Sequence, residues 1–92
     1  MAELSIQKCF GVCIREIRNR RGISQEKFAL QIDMDRTYYA SVESGRRNIS
    51  LANIEKIATG LGVSLSDLFA AIETYRLQGV SNLDELCQEH SK

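Results

Sequence analysis

Positions 25 to 44 read Gln25-Glu26-Lys27-Phe28-Ala29-Leu30-Gln31-Ile32-Asp33-Met34-Asp35-Arg36-Thr37-Tyr38-Tyr39-Ala40-Ser41-Val42-Glu43-Ser44. Two short stretches in it carry helical spacing, and each follows a residue whose side-chain oxygen can accept from a first-turn amide. Ser24 precedes Gln25–Gln31, in which Phe28 and Ala29 face inward. Asp35 precedes Arg36–Ser44, in which Tyr39 and Val42 face inward. The break between them, Ile32-Asp33-Met34, leaves room only for a tight turn.

The rest of the chain supports this pair with further helices. Upstream, Phe10, Ile14 and Ile17 recur at three- and four-residue steps, which predicts an amphipathic helix over 6–21 ended by Gly22. Downstream, Ser50 opens a helix over 51–61 whose apolar set is Leu51, Ile54, Ile57, Ala58 and Leu61. Ser64 with Asp67 forms a capping box for a helix over 65–76 carrying Leu65, Leu68, Phe69, Ile72 and Tyr75. A second box, Ser81 with Asp84, predicts a short sixth helix over 82–89 with Leu83 and Leu86. No stretch alternates at period two for long, and there is no internal repeat. The expected fold is all-α: a compact five-helix domain over 6–76, then a C-terminal extension over 77–92 with its short helix.

A chain of 92 residues and 10.4 kDa has room for one domain, and an apolar fraction of 43% suffices for a core. Net charge is zero, but it is unevenly spread. Lys8 to Ser50 holds nine basic against five acidic residues, and Leu51 to Lys92 holds three against six. Such a dipolar chain can turn one face to a polyanion. No apolar run reaches the ~18 residues a membrane span needs, and the N-terminus lacks a signal peptide's apolar stretch, so a cytoplasmic protein with no membrane partner is expected. Cys9 and Cys13 lie four apart and Cys87 and His90 three apart. Neither pair is a C-x₂-C knuckle and the pairs sit at opposite ends, so no metal is expected and Cys13 reads as a small apolar packing residue. No serine–histidine–acid set, paired-carboxylate site or glycine-rich phosphate loop is present, which argues against an enzyme and against a cofactor.

Two short helices around a tight break, with a third just upstream, have the layout of a helix-turn-helix, whose second helix enters the major groove. With Tyr39 and Val42 inward, that helix leaves Arg36, Thr37, Tyr38, Ala40 and Ser41 outside. Arginine can fork onto guanine O6 and N7, threonine offers a hydroxyl or a methyl, and serine lets backbones approach. Arg36, Thr37 and Ser41 are the base-edge candidates, with phosphate clamping the alternative for Arg36. Tyr38 either packs on sugar–phosphate or a thymine methyl, or shields the joint between the two helices.

The stretch Gly22 to Phe69 resembles the Cro/phage-repressor type (xenobiotic-response-element) helix-turn-helix family. The matching pieces are Gly22-Ile23-Ser24-Gln25-Glu26, Ala29, Tyr39, Val42-Glu43-Ser44-Gly45-Arg46-Arg47-Asn48, Ser50-Leu51, Ile57-Ala58, Leu61-Gly62-Val63-Ser64 and Leu68-Phe69. The string Asp35-Arg36-Thr37-Tyr38-Tyr39, followed by Glu43 to Ser50, is similar to controller proteins of restriction–modification systems. Asp33 departs from the pattern, standing where the family usually has glycine. The resemblance implies a homodimer that binds an inverted-repeat operator in double-stranded DNA and represses or activates transcription. It implies phosphate contacts by Ser24, Gln25, Arg47 and Asn48, an adjacent base or minor-groove contact by Arg46, and an internal ion pair of Arg18 with Glu43. It further implies dimerisation through the C-terminal part, where Leu68, Ile72 and Tyr75 are the candidates, and an RNA polymerase contact for which Glu26 is the candidate. The alternatives within this frame are a phage-type or other small repressor, or an antitoxin-like interaction module that has lost specific DNA binding. In the extension, the sixth helix either joins the dimer or folds back over the fifth.

Overall fold

The computed structural model describes residues 5–78, and these form five helices in an all-α domain. They are α1 (Ile6–Arg20), α2 (Gln25–Gln31), α3 (Arg36–Glu43), α4 (Leu51–Leu61) and α5 (Leu65–Gln78). The segment expected to carry the sixth helix, with Leu83, Leu86, Cys87 and His90, lies outside the described residues. Four helices begin at side-chain caps: Ser5, Ser24, Asp35 and Ser50 accept from Lys8, Lys27, Tyr38 and Asn53 amides. Ser64 does the same for α5, accepting from the Asp67 amide at 3.0 Å. The ends differ slightly from expectation. Arg21 and Ser44 are C-caps rather than last helical residues, and α5 continues past its expected end at Arg76 to Gln78.

α1 is the centre of the assembly and packs on α5, α3 and α4, while α2 packs on α3. Phe10, Cys13, Ile14 and Ile17 of α1 meet Phe28, Tyr39, Ile57, Leu61, Leu68 and Ile72 in one continuous core. The Phe28 and Tyr39 rings lie 5.3 Å apart at a 58° tilt, joining α2 to α3. Two expectations need correction. Leu51 is 73% exposed, because as the first residue of α4 it precedes the turn that reaches the core. Leu68 and Ile72, expected at a dimer interface, are 0% and 1% exposed: α5 turns them onto α1 and spends them on the chain's own core. Cys9 and Cys13 are both fully buried free thiols, and desolvation, with smaller contributions from Glu16 and Cys9, pushes the Cys13 thiol up to about 12.

Two local features set the angle of α3. The first is the turn after α2. Asp33 sits at φ 56°, the Met34 amide reaches back to the Ala29 carbonyl at 2.9 Å, and the Asp33 amide reaches Leu30 at 3.1 Å. That is a Schellman ending, in which the left-handed position ordinarily takes glycine but tolerates aspartate. Lys56 of α4 donates to the Asp33 carbonyl at 3.3 Å and ties the turn to the scaffold. The second is the crossing of α1 and α3. A Cβ on Gly11 would stand 2.8 Å from the Val42 carbonyl oxygen and closer still to that of Glu43, so only glycine lets the backbones meet.

At this crossing lies a buried polar cluster centred on Glu43. Arg18 donates to it twice, Nε to Oε2 at 2.7 Å and Nη2 to Oε1 at 3.0 Å. The Tyr39 hydroxyl donates to Oε2 at 2.5 Å and Gln25 Nε2 donates to Oε1 at 2.9 Å. Arg18 also donates through Nη1 to the Ile23 carbonyl at 2.7 Å. Desolvation alone would raise the Glu43 carboxyl, but donors from Arg18, Tyr39 and Gln25 outweigh it and hold it below its ordinary value. Burial and the bond to Glu43 push the Tyr39 phenol up, so it stays protonated and keeps donating.

Two outcomes follow from this packing. Alanine normally gains about 1 kcal/mol over glycine inside a helix, yet Gly11→Ala should lower stability by roughly 1–3 kcal/mol because the clash is with backbone. A urea midpoint at or above wild type would show that α1 and α3 do not approach so closely. A carboxyl held low in the folded chain stabilises above its unfolded value, near 4.5, and that contribution disappears as pH falls through the folded value. Glu43→Gln should therefore cost on the order of 3–5 kcal/mol at pH 7, by leaving Arg18 buried without its counter-charge. It should also flatten the loss of stability between pH 5 and pH 2, as read by urea unfolding at each pH.

Candidate nucleic-acid interface

The outer side of α3 begins with Arg36 and Thr37, both exposed, and continues through the half-buried Tyr38, Ala40 and Ser41. The N-terminal end of α2 lies beside it. Arg36 Nη1 and Glu26 Oε2 are 2.7 Å apart, with side chains 64% and 72% exposed. A pair this solvated contributes about 0–1 kcal/mol, so Arg36 is held lightly. Glu26, expected to face RNA polymerase, thus holds the first residue of α3. Thr37 stands exposed beside Arg36.

Further along, four side chains form a stack. The Arg47 guanidinium lies over the Tyr38 ring, 5.3 Å from its centroid, and its Nε donates to Ser41 Oγ at 3.0 Å. Ser41 in turn donates to the Tyr38 carbonyl at 2.6 Å. Asn53 of α4 donates through Nδ2 to the Tyr38 hydroxyl at 3.2 Å. The Tyr38 ring is half-buried and packs against the core, as the shielding reading expects, and the Arg47 guanidinium lies over it. Ser41, a base-edge candidate, has its hydroxyl engaged on both sides within the chain. Asn53 was not singled out by sequence; it sits in a first turn after Ser50, where a cap is the obvious reading.

The loop after α3 places the remaining cations. Arg46 and Asn48 are exposed, and the Asn48 carbonyl oxygen of the side chain accepts from Gln7 Nε2 at the start of α1. Gln25 is half-buried, and its amide is committed to Glu43, so it braces the α2–α3 pair from within. Ser24 is exposed and caps α2. Arg18 and Glu43 are brought together as expected. Arg36 thus meets the start of α2 through Glu26, and Arg47 lies against Tyr38 and Ser41 of α3.

Another surface is apolar. Ile6 at the start of α1 and Phe69 of α5 line a shallow groove with Ala70, Glu73 and Arg76. The same two residues, with Phe10, Ile49 and Ile54, line a second groove that ends at Asn48. Phe69 is 40% exposed, Leu65 and Leu77 are exposed as well, and Tyr75 is half-buried against the core. Among the described residues, no group of three His, Cys, Asp or Glu could hold a metal ion, and no single helix is long and apolar enough to cross a membrane.

Residues 14–68 match the helix-turn-helix family. Control protein C.MunI of Mycoplasma is 55% identical over 65 residues, which span 70% of this chain and 88% of the relative. The controller protein C.AhdI of Aeromonas hydrophila superposes with a TM-score of 0.66 at 44% identity, covering 68% of this chain and 96% of that one. C.Esp1396I, solved as a tetramer in complex with its natural 35 base-pair operator, superposes with a TM-score of 0.75 at 30% identity, over 83% of this chain and 100% of that one. The fold is that of helix-turn-helix transcriptional regulators. By the extent of these matches, the chain belongs to the helix-turn-helix family and is a homologue of restriction–modification controller proteins.

Proposed function

We propose that the chain is a sequence-specific, double-stranded DNA-binding homodimer that regulates transcription as a controller of restriction–modification genes. In this reading α3 enters the major groove of an inverted-repeat operator. The observation that carries it is the exposed pair Arg36 and Thr37 at the leading end of α3, with Arg47 stacked alongside on Tyr38. Arg36 supplies a bidentate donor to guanine, and Thr37 its methyl or hydroxyl to the neighbouring base. Arg46, Arg47, Asn48 and the capped start of α2 at Ser24 grip the phosphates on either side. Gln25 and the Arg18–Glu43 pair act one step back, by fixing the angle of α3.

A two-fold dimer presents the same helix to two half-sites roughly 34 Å apart, one turn of the duplex. Since Leu68 and Ile72 belong to the core, the dimer surface is assigned to Ile6, Leu65, Phe69 and Leu77. This patch is built from α1 and α5, and α3 contributes no residue to it.

Selection of bound sequences from a random duplex library should return an inverted repeat. Arg36→Ala should cost about 1–3 kcal/mol per half-site and relax one base-pair preference. Arg47→Ala should weaken all duplexes nearly alike and shallow the salt dependence by about one counterion per chain. If no sequence is enriched, and wild type binds duplex no better than the Arg36/Arg47 double variant, an interaction module replaces this reading. The dimer has its own test. Light scattering should give the mass of two chains for wild type and of one chain for a folded Phe69→Asp variant, and a wild-type monomer would remove the dimer.

A further inference from the structure

We infer that Glu26 sets specificity on this face by acting through Arg36: its carboxylate holds the guanidinium for bases and withholds it from phosphates. The inference rests on the DNA-binding reading above and adds to it a residue whose effect is discrimination. Glu26 lies in the first turn of α2 and Arg36 is the first residue of α3. Their 2.7 Å contact therefore spans the two helices at the leading edge of the outer face. With both side chains largely in solvent the pair adds little to folding and restrains Arg36 only lightly, favouring one orientation of its guanidinium. Its consequence lies in what Arg36 can still do.

A guanidinium has five N–H donors in a rigid fork. Glu26 takes one of them, on Nη1, and leaves an edge able to fork onto guanine O6 and N7. On target DNA the pair survives docking, and the arginine arrives already oriented. On other DNA no such acceptor pair is present. A phosphate could still attract a bare arginine there, but this arginine is neutralised by a carboxylate that itself repels phosphates. Non-target complexes thus desolvate the pair for little return, and the penalty falls on the wrong sequences.

The experiment compares wild type, Glu26→Gln, Arg36→Ala and the double variant. Each is titrated with the selected operator duplex and with a scrambled duplex of equal length at several potassium chloride concentrations, after circular dichroism has shown unchanged helix content. Glu26→Gln should bind scrambled DNA more tightly and steepen its log K against log salt slope by about 0.9 per chain engaged. Discrimination between operator and scramble should fall about fivefold or more, the lower end of what one base-pair preference contributes. In the Arg36→Ala background the same substitution should leave the ratio unchanged, because the group it acts through is gone. Equal tightening on both duplexes, or an unchanged ratio in the wild-type background, would overturn the inference and leave Glu26 a surface charge. A wild type that does not discriminate at all instead overturns the DNA-reading function, which keeps the two failures apart.

Discussion

The carboxylate of Glu43 governs the geometry of everything on the outer face. It ends α3, yet it is buried, and it receives donors from α1 through Arg18, from α2 through Gln25 and from its own helix through Tyr39. A buried charge is costly when unmatched, so a shift of α3 that broke even one of these bonds would leave a polar group stranded. Nonpolar packing alone tolerates small rotations, because many arrangements bury similar area. Directional bonds to one carboxylate do not. The cluster thereby converts a helix of only eight residues, too short to be stable alone, into a rigid platform.

Around that platform the fold uses close approach instead of bulk. Gly11 admits the α3 backbone, and Asp33 accepts a left-handed turn that most residues avoid. Between them these positions bring the starts of α2 and α3 side by side, which is why Glu26 and Arg36 can touch. The stack of Asn53, Tyr38 and Arg47 extends the same logic to α4, since a cation on a flexible stem is held in place by a ring that the core itself positions.

Much of this was legible in the sequence because its signals are local. Ser24, Asp35, Ser50 and Ser64 each sit one residue before a helix they cap, and apolar spacing at three and four identifies α1 without ambiguity. What escaped depends on which neighbour an element meets. Leu68, Ile72 and Phe69 share one apolar stripe, and nothing in their spacing says that α1 covers the first two and leaves the third half open. Leu51 belongs to a regular pattern but stands a turn too early to be covered. Cys13 packs as the small apolar residue expected, and Cys9, one turn before it, is buried with it because their helix face is the one that meets its neighbours. Among the candidate interface residues, Arg36 and Thr37 were visible as the outward remainder of α3. The internal engagement of Ser41 and Gln25 was not, because it relies on partners six to eighteen positions away.

The two buried thiols give the molecule a built-in clock. A thiolate is the reactive form, and at Cys13 both the inaccessible sulfur and its raised ionisation suppress it in the closed state. Alkylating reagents and oxidants reach Cys9 or Cys13 only when α1 separates from the helices it packs on, α3, α4 and α5. Their modification is therefore gated by opening of the whole domain and reports how often that happens. While the domain is folded these two thiols are shielded, and what they lose to oxidation measures the time it spends open.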